Sequence, residues 1–318
     1  MDHLKKNRPH YIITAFLLFF NAIMIIFAKE IFNGAQKGLE LWLKTVIPSL
    51  FPFMVSIGLM INLGIPKKIG AVLQPFSLKL FNLNGIQAFV FLTGLTAGCP
   101  IGLKTLAELY RDGSISRSAA HRLMLYCNNT GMLFMLSTVG TVFFGSERTG
   151  RKLLLCNTLA ALTLAAVSGI LSKNQPPEKP NTDFSPPENA VLSKTVVSSV
   201  HSMLIIGAYI IIFSVISEIF AILHIYDGLA SLFAPLGLDK NLSKAAALGI
   251  LEVTNGCRAA AGNSKECFVA AAVVCGWGGL SVHAQSTEFL NDTDLSPIPY
   301  LAGKGLNAIL CGIYAYFL

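Results

Sequence analysis

Polar and reactive side chains recur in the same order at two places in an otherwise apolar sequence. Residues 95–99 read Leu-Thr-Ala-Gly-Cys, and residues 253–257 read Val-Thr-Asn-Gly-Cys. A break in an apolar helix frees backbone and side-chain groups that can bind a small solute. Threonine and asparagine also cap helix ends by bonding their own backbone, and the sequence leaves both interpretations open. The candidate substrate-binding residues of these stretches are Thr96, Cys99, Thr254 and Asn255.

A second pair of interruptions follows these stretches. Residues 127–131 read Cys-Asn-Asn-Thr-Gly and residues 275–279 read Cys-Gly-Trp-Gly-Gly, both in the middle of an apolar run. Neutral oxygens at such a break can ligate sodium or bind a ring nitrogen or a carboxylate. Packing between helices is the alternative, but paired asparagines inside a membrane are costly enough to favour a functional role. The candidates from these interruptions are Asn128, Asn129, Thr130, Ser281 and Gln285.

Charged side chains lie close to the same places. Glu252 stands in an apolar run, where it would carry a coupling proton, ligate a cation or pair with Arg258. The guanidinium of Arg258 suits bidentate capture of a planar anion, and Lys104 behind the first stretch would attract one too. For Lys104 we favour snorkelling to the lipid headgroups. We interpret His283 as a solvated histidine and Lys304 as an interfacial lysine.

The composition predicts membrane-spanning helices as the elements that position these groups. Of the 318 residues 53% are hydrophobic and only 13% are charged, with a mean hydropathy of +0.61, whereas soluble domains have about 25% charged residues. The net charge of +7 indicates attraction to anionic headgroups and not to nucleic acid. Runs long enough to cross a bilayer are residues 11–28, 46–63, 121–144, 153–171, 196–223 and 298–318.

Two further apolar runs, residues 86–103 and 245–262, are interrupted by proline, glycine or charge. They predict re-entrant hairpins, because lipid does not tolerate free backbone groups or mid-membrane charge. Each is followed by a broken span and a closing span, so each half crosses the membrane an odd number of times and the halves are inverted. We therefore predict an all-α polytopic membrane protein of two inverted repeats, each with a re-entrant hairpin and an interrupted transmembrane helix. The predicted parts are an anchor helix (1–33), a first repeat (34–172), a proline-rich linker (173–195) and a second repeat (196–318).

The sequence contains no nucleophile elbow, Walker loop or HExxH motif, so we do not expect an enzyme. Its seven cysteines form no CxxC pair and predict buried thiols, with neither a metal site nor another bound cofactor. The sequence is compatible with transport coupled to an ion, either sodium or a proton, and does not decide between them. The expected partners are a small-molecule substrate and the lipid bilayer, and a homo-oligomer also stays open.

Three segments carry a resemblance to a known family: Gly-Cys-Pro-Ile-Gly-Leu-Lys at 98–104, Cys-Asn-Asn-Thr-Gly-Met-Leu-Phe at 127–134 and Gly-Gly-Leu-Ser-Val-His-Ala-Gln at 278–285. Together they resemble the sporulation integral membrane proteins of the YlbJ type. That family lies in the wider nucleoside-recognition (Gate) group and is similar in arrangement to the concentrative nucleoside transporters. The resemblance implies passage of dipicolinate, pyridine-2,6-dicarboxylate, across a cell membrane or spore-surrounding membrane of a spore-forming bacterium.

Three functional hypotheses therefore stand. The first is a dipicolinate transporter that exposes a midplane site alternately to the two sides. The second is a sodium- or proton-coupled nucleoside or nucleobase carrier, which the amides and hydroxyls of the candidate site would suit. The third is a membrane scaffold protein without transport activity.

Overall fold

The computed structural model describes residues 8–172, 191–233, 235 and 239–318, and this part of the chain is helical without any strand. The predicted all-α class is therefore confirmed. Most of the predicted linker, residues 173–190, lies outside the described residues, as do residues 1–7. The helix after the linker begins at Val191, so residues 191–195 are helical.

The N-terminal region is a nearly continuous run of helix. Its elements in chain order are α1 (Arg8–Ile26), α2 (Ala28–Leu41), a π-helical turn π1 (Trp42–Val46) and α3 (Ile47–Asn62). Helix α2 crosses the boundary that the sequence suggested between residues 33 and 34. The Trp42 ring nitrogen donates to the Met203 carbonyl at 3.0 Å, which fixes π1 against the long helix of the second half.

The rest of the first half contains two interruptions. Its elements are α4 (Ile65–Phe81), α5 (Gly85–Thr96), α6 (Ile101–Arg111), α7 (Arg117–Met124), the π-helix π2 (Phe134–Phe143) and α8 (Glu147–Leu171). Asn84 begins α5 with a capping box, because its side chain accepts from the Gln87 amide and Gln87 bonds back to Asn84. Helices α4 and α5 meet at 86°.

The second half repeats this order of elements. They are α9 (Val191–Ile222), α10 (Ile225–Ser231), α11 (Lys240–Leu251), α12 (Val253–Ala260), α13 (Lys265–Trp277), α14 (Leu280–Glu288) and α15 (Ile298–Phe317). Helices α9, α3 and α2 pack together at one side, while α8, α13 and α15 form the centre.

Four helical runs of the described chain are long and apolar enough to cross a membrane: 28–62, 147–171, 191–222 and 265–288. The bent pair α4 and α5 would be a fifth membrane span if the two helices cross the membrane together. The predicted span at 121–144 is not a continuous helix, because it is unwound between α7 and π2. Helices α1 and α15 are not among the four runs, although the sequence predicts spans at 11–28 and 298–318. The chain is an integral membrane protein.

Contacts between helix termini define two ends of the helical body. At the end that we name end A, Arg111 lies 3.5 Å from Asp292 and Arg117 lies 3.6 Å from Asp294. These contacts join the end of α6 and the start of α7 to the segment that precedes α15. The C-terminus of α8 is also here, since Arg122 donates to the Ser172 hydroxyl.

The opposite end, end B, collects the other termini. The Lys152 ammonium donates to the Leu318 carbonyl at 2.7 Å, so the start of α8 lies beside the end of α15. Lys265 at the start of α13 lies 4.3 Å from the Tyr316 ring centroid. Helices α8 and α15, which hold the same position in the two halves, therefore run in opposite directions.

Candidate functional site

Each half contains a helical hairpin whose arms meet at glycines. Helices α5 and α6, here called hairpin 1, approach so closely that an added Cβ at Gly102 would lie 3.0 Å from the Gly94 Cα. Helices α11 and α12, hairpin 2, meet in the same way at Gly249 and Gly256. The interruptions predicted in these two runs are confirmed, at residues 97–100 in hairpin 1 and at Glu252 in hairpin 2.

The tip of hairpin 1 packs on the unwound stretch between α7 and π2, which we call break 1 (residues 125–131). The Cys99 amide donates to the Asn129 carbonyl at 2.6 Å. Gly94 and Gly102 both lie against the Cys127 carbonyl, leaving no room for a side chain at either position. The arrangement holds the partly buried Cys99 directly over the break.

The tip of hairpin 2 packs on the corresponding interruption between α13 and α14, which we call break 2 (residues 278–279). Both glycines have left-handed backbone angles, with φ of 91° at Gly278 and 87° at Gly279, a region that favours glycine. A Cβ at Gly279 would lie 3.0 Å from the Leu251 carbonyl oxygen and 3.1 Å from the Glu252 Cα. Each hairpin tip therefore contacts the break of its own half.

The polar side chains of break 1 are buried and bonded to the protein. The Asn128 amide group donates to the Ser286 hydroxyl at 3.0 Å, and its oxygen accepts from the Leu103 backbone at 3.3 Å. Asn129 donates to the Tyr126 carbonyl at 2.9 Å, and the Thr130 hydroxyl donates to the Cys275 carbonyl. Asn128 and Thr130 therefore link break 1 to α6, α13 and α14, and Asn129 bonds within the break.

Lys304 corrects the sequence-based interpretation most sharply. We expected an interfacial lysine, but Lys304 is only 4% exposed and its ammonium donates to the Asn128 carbonyl of break 1 at 3.4 Å. Its side chain also passes break 2, because Cε lies 3.5 Å from the position of a Cβ on Gly278. The lysine reaches the centre because Gly303 lets α15 lie directly against Leu125.

His283 is likewise buried, at 3% exposure, where the sequence suggested a solvated ring. Its Nδ1 lies 2.9 Å from the Tyr300 hydroxyl, and its ring meets the Trp277 ring edge-on at 4.3 Å between centroids. Its Nε2 has no hydrogen-bond partner among the residues that the structure describes. Break 2 is thus followed by a buried imidazole with one free nitrogen.

The other cations predicted near the site are engaged elsewhere. Arg258 is exposed at end B, with its guanidinium 5.1 Å from the Phe143 ring centroid. Lys104 is buried and does not snorkel to the headgroups as we expected, since it pairs with Glu108 at 3.1 Å. Neither side chain reaches the breaks.

Glu252 begins helix α12 as its N-cap. One carboxylate oxygen accepts from the Asn255 backbone at 2.7 Å, which is the capping geometry that favours a carboxylate at a helix N-terminus. Glu252 and Arg258 form no ion pair within 4 Å in the described structure, so the pairing considered from the sequence is absent. Thr254 and Asn255 are half-buried in the first turn of α12.

The remaining candidates lie on α5 and α14. Thr96 is exposed, and its hydroxyl donates to the Leu92 carbonyl of its own helix at 2.9 Å. Ser281 and Gln285 are buried and bonded to each other at 3.0 Å. The structure therefore gathers Asn128, Asn129, Thr130 and Cys99 around break 1, places Ser281 and Gln285 after break 2, and leaves Thr96 outside.

Sequence reasoning missed the contact between α8 and α15. Asn307 of α15 is buried and donates to Asn157 Oδ1 and to the Gly276 carbonyl, both at 3.2 Å. Asn307 Oδ1 lacks a partner among the described residues. The sequence does indicate a polar face on α15, because Lys304 and Asn307 are three residues apart and so lie on one side of an otherwise apolar helix.

All seven cysteines are free, and five of them are buried. Cys257 and Cys275 lie 3.5 Å apart, sulfur to sulfur, where hairpin 2 meets α13. No group of three or more His, Cys, Asp or Glu side chains in the described part of the chain is placed to hold a metal ion.

The chain can now be placed among known proteins. Residues 43–172 match the family model for Gate, nucleoside recognition. The chain is also similar to the sporulation integral membrane protein YlbJ of Bacillus subtilis, with 27% identity over 338 aligned residues that cover 96% of this chain and 82% of the relative. The resemblance inferred from the sequence is thereby confirmed. No solved structure matches the chain significantly.

Proposed function

We propose that this protein is a membrane transporter in which two inverted repeats expose a central site alternately to the two membrane sides, and that dipicolinate is the solute in spore formation. The proposal takes hairpins 1 and 2 as re-entrant. Support comes from the opposite directions of α8 and α15 and from the matching order of hairpin, broken helix and closing helix in the two halves.

The observation that carries the proposal is the packing of each hairpin tip on the break of its own half. The amide of Cys99 bonds to break 1, and the Glu252 backbone contacts Gly279 of break 2. Paired interruptions of this kind place free backbone groups and helix termini around a midplane site in transporters built from inverted repeats. Irregular backbone at membrane depth survives only where protein or a cavity shields it.

Dipicolinate is favoured over a neutral solute by the charge at the centre. Lys304 lies between the two breaks, and no carboxylate of the described chain lies within 4 Å of its ammonium. The similarity to a sporulation protein points in the same direction. The dicarboxylate dipicolinate fits both the buried cation and the similarity to a sporulation protein.

The test is flux through the purified full chain in liposomes. Vesicles loaded with dipicolinate are diluted into buffer containing terbium, whose luminescence on binding dipicolinate reports release, and the reverse gradient tests uptake. We expect flux well above that of protein-free vesicles. Equal rates with and without protein in both directions would overturn the proposal.

A nucleoside carrier is the second candidate, because the matched family model is described as nucleoside recognition and break 1 is rich in amides. It predicts uridine or adenosine uptake that depends on a sodium or proton gradient. The same vesicles decide between the candidates, since this carrier moves nucleosides and leaves dipicolinate inside.

A further inference from the structure

A single buried cation lies beside both helix breaks in the described structure. Lys304 Nζ contacts the Asn128 carbonyl of break 1 at 3.4 Å and lies 3.7 Å from the Cβ position of Gly278 in break 2. The other lysine buried in the described chain, Lys104, has its own carboxylate partner in Glu108. Lys304 is therefore the cation available to a solute at this place.

The ammonium of Lys304 uses one of its three N–H groups. Its bond to Asn128 is the only hydrogen bond that the described structure gives it, and none of the ion pairs found there includes it. Burying an unpaired charge is costly, and such a residue inside a membrane protein marks a solute or ion pathway. Two N–H groups are left for an incoming oxyanion.

The local helix termini explain how the charge is held without a carboxylate. Helix α13 ends at Trp277, beside the lysine side chain, and the unwound end of α7 supplies the Asn128 carbonyl. The carbonyl end of a helix attracts a cation. The N-terminus of α14 begins at Leu280, immediately after break 2, and the amide end of a helix attracts an anion.

Two unpartnered polar atoms lie in the same region. His283 Nε2 and Asn307 Oδ1 are buried without a hydrogen-bond partner in the described residues, and both side chains are 3% exposed. His283 follows break 2 by one turn of α14, and Asn307 follows Lys304 by three residues on α15. A planar ring with polar substituents would find a cation and two neutral polar groups there.

We infer that Lys304 is the specificity-determining residue for the charge of the solute: its ammonium binds one carboxylate of a small heteroaromatic acid between break 1 and break 2. The inference rests on the proposed transport function and assigns its anion selectivity to one side chain. His283 and Asn307 lie beside the bound ring. Arg258 and Lys104, the cations that the sequence indicated, take no part.

The test compares an acid with its neutral isostere. Binding of dipicolinate and of pyridine-2,6-dicarboxamide to the purified full chain is measured by equilibrium dialysis for the wild type and for Lys304→Met. We expect the substitution to weaken dipicolinate binding at least about tenfold, the effect of losing one charge-assisted hydrogen bond. Binding of the diamide should change less than about twofold.

The double variant Lys104→Met, Glu108→Gln is the matched control. It removes the other buried lysine together with its partner, so it leaves no uncompensated charge, and dipicolinate binding should stay at the wild-type level. Lys304→Met should also keep or raise the melting temperature, since an apolar residue replaces a buried charge.

Each outcome bears on the inference. Equal weakening of acid and diamide would assign Lys304 a structural role and overturn the inference, as would dipicolinate binding that Lys304→Met leaves unchanged. If the wild type and Lys304→Met move dipicolinate at the same rate, the inference is wrong and the proposed function stands. A wild-type chain that neither binds nor moves dipicolinate defeats the proposed transport of this solute, and the inference with it.

Discussion

The two breaks differ in what surrounds their backbone. Break 1 carries its own polar side chains: Asn128 and Thr130 are bonded to neighbouring helices, and Asn129 is bonded to the Tyr126 carbonyl within the break. Break 2 consists of two glycines, and the side chain beside it, Lys304, comes from another helix and keeps free donors. The polar side chains of break 1 thus have partners within the protein, whereas Lys304, which lies beside break 2 and donates to the backbone of break 1, keeps unused donors.

The strongest test of this contrast is Asn128→Leu. The substitution leaves the Leu103 amide and the Ser286 hydroxyl without their partner, and each buried unsatisfied group costs about 1–3 kcal/mol. We expect a loss of about 2–6 kcal/mol in stability, together with loss of transport, measured by thermal unfolding in detergent and by flux.

Asn21→Leu is the control for this substitution. Asn21 is exposed and its side chain bonds only to the Leu17 carbonyl of its own helix, so its loss should leave the melting temperature nearly unchanged. If Asn128→Leu folded as well as Asn21→Leu while losing transport, break 1 would be a binding site and the contrast would be wrong.

Gly279→Ala is expected to have the next largest effect. Alanine at the backbone angles of Gly279, φ of 87° and ψ of 153°, costs about 1–3 kcal/mol, and its methyl group would also press on the Leu251 carbonyl at 3.0 Å. Gly113→Ala separates the two causes, because Gly113 has a φ of 72° with no neighbouring atom within 4 Å.

We expect Gly279→Ala to lower stability clearly more than Gly113→Ala, as measured by the melting temperatures of the two purified variants. Equal losses would show that the tip of hairpin 2 does not press on break 2.

Glu252→Ala should have a moderate effect. It removes the cap that accepts from the Asn255 amide at 2.7 Å, a loss of about 0.5–2 kcal/mol. Asp239→Ala removes the equivalent cap of α11, which accepts from Leu242 at 2.8 Å, and should cost a similar amount. Thermal unfolding compares the two. Transport lost in Glu252→Ala beyond that of Asp239→Ala at equal stability would give the carboxylate a role other than capping.

The smallest effect is expected at end A, where exposed side chains of the two halves meet. The hydrogen bond from the Tyr110 hydroxyl holds the pKa of the Asp294 carboxyl below its usual range, and the same bond raises the pKa of Tyr110. A carboxyl with a lowered pKa stabilises the fold at neutral pH and stops doing so as pH falls through that lowered value. Asp294→Asn should therefore lower the melting temperature slightly at neutral pH and not at all in strong acid.

Asp112→Asn serves as the comparison at end A, because the Asp112 carboxylate accepts, among the described residues, only from the nearby Ser114 hydroxyl. Asp112→Asn should lower the melting temperature at neutral pH less than Asp294→Asn does. A pH-independent loss in Asp294→Asn would mean that the carboxylate charge is not what joins the halves there.

The sequence predicts the interruptions of the helices well, because they are local. Glycine, proline and paired asparagine weaken a helix in an apolar run, and the interruptions near residues 98, 128, 252 and 278 are all observed. The signal is not sufficient by itself, because Pro52 and Pro75 lie inside helices α3 and α4. Which side chains lie beside the breaks depends on contacts between helices that are distant in the sequence. Lys304 near the start of α15 has the pattern of a snorkelling residue, and only the approach of Gly303 to Leu125 carries it to the centre.

The sequence also does not predict which groups Glu252 and Arg258 contact. Six residues separate them, but the carboxylate turns back to the Asn255 amide while the guanidinium turns outward to Phe143. Capping satisfies the carboxylate at a helix start without any cation. A spacing rule for ion pairs cannot foresee that competition.

The native cysteines differ in solvent exposure, so they can be labelled selectively without introducing new ones. Five cysteines are enclosed, whereas Cys99 at the tip of hairpin 1 and Cys267 near end B are partly open. Mass spectrometry after brief treatment with a water-soluble maleimide would then read out, residue by residue, how far solvent penetrates toward break 1, with Cys267 as the internal standard for reagent delivery.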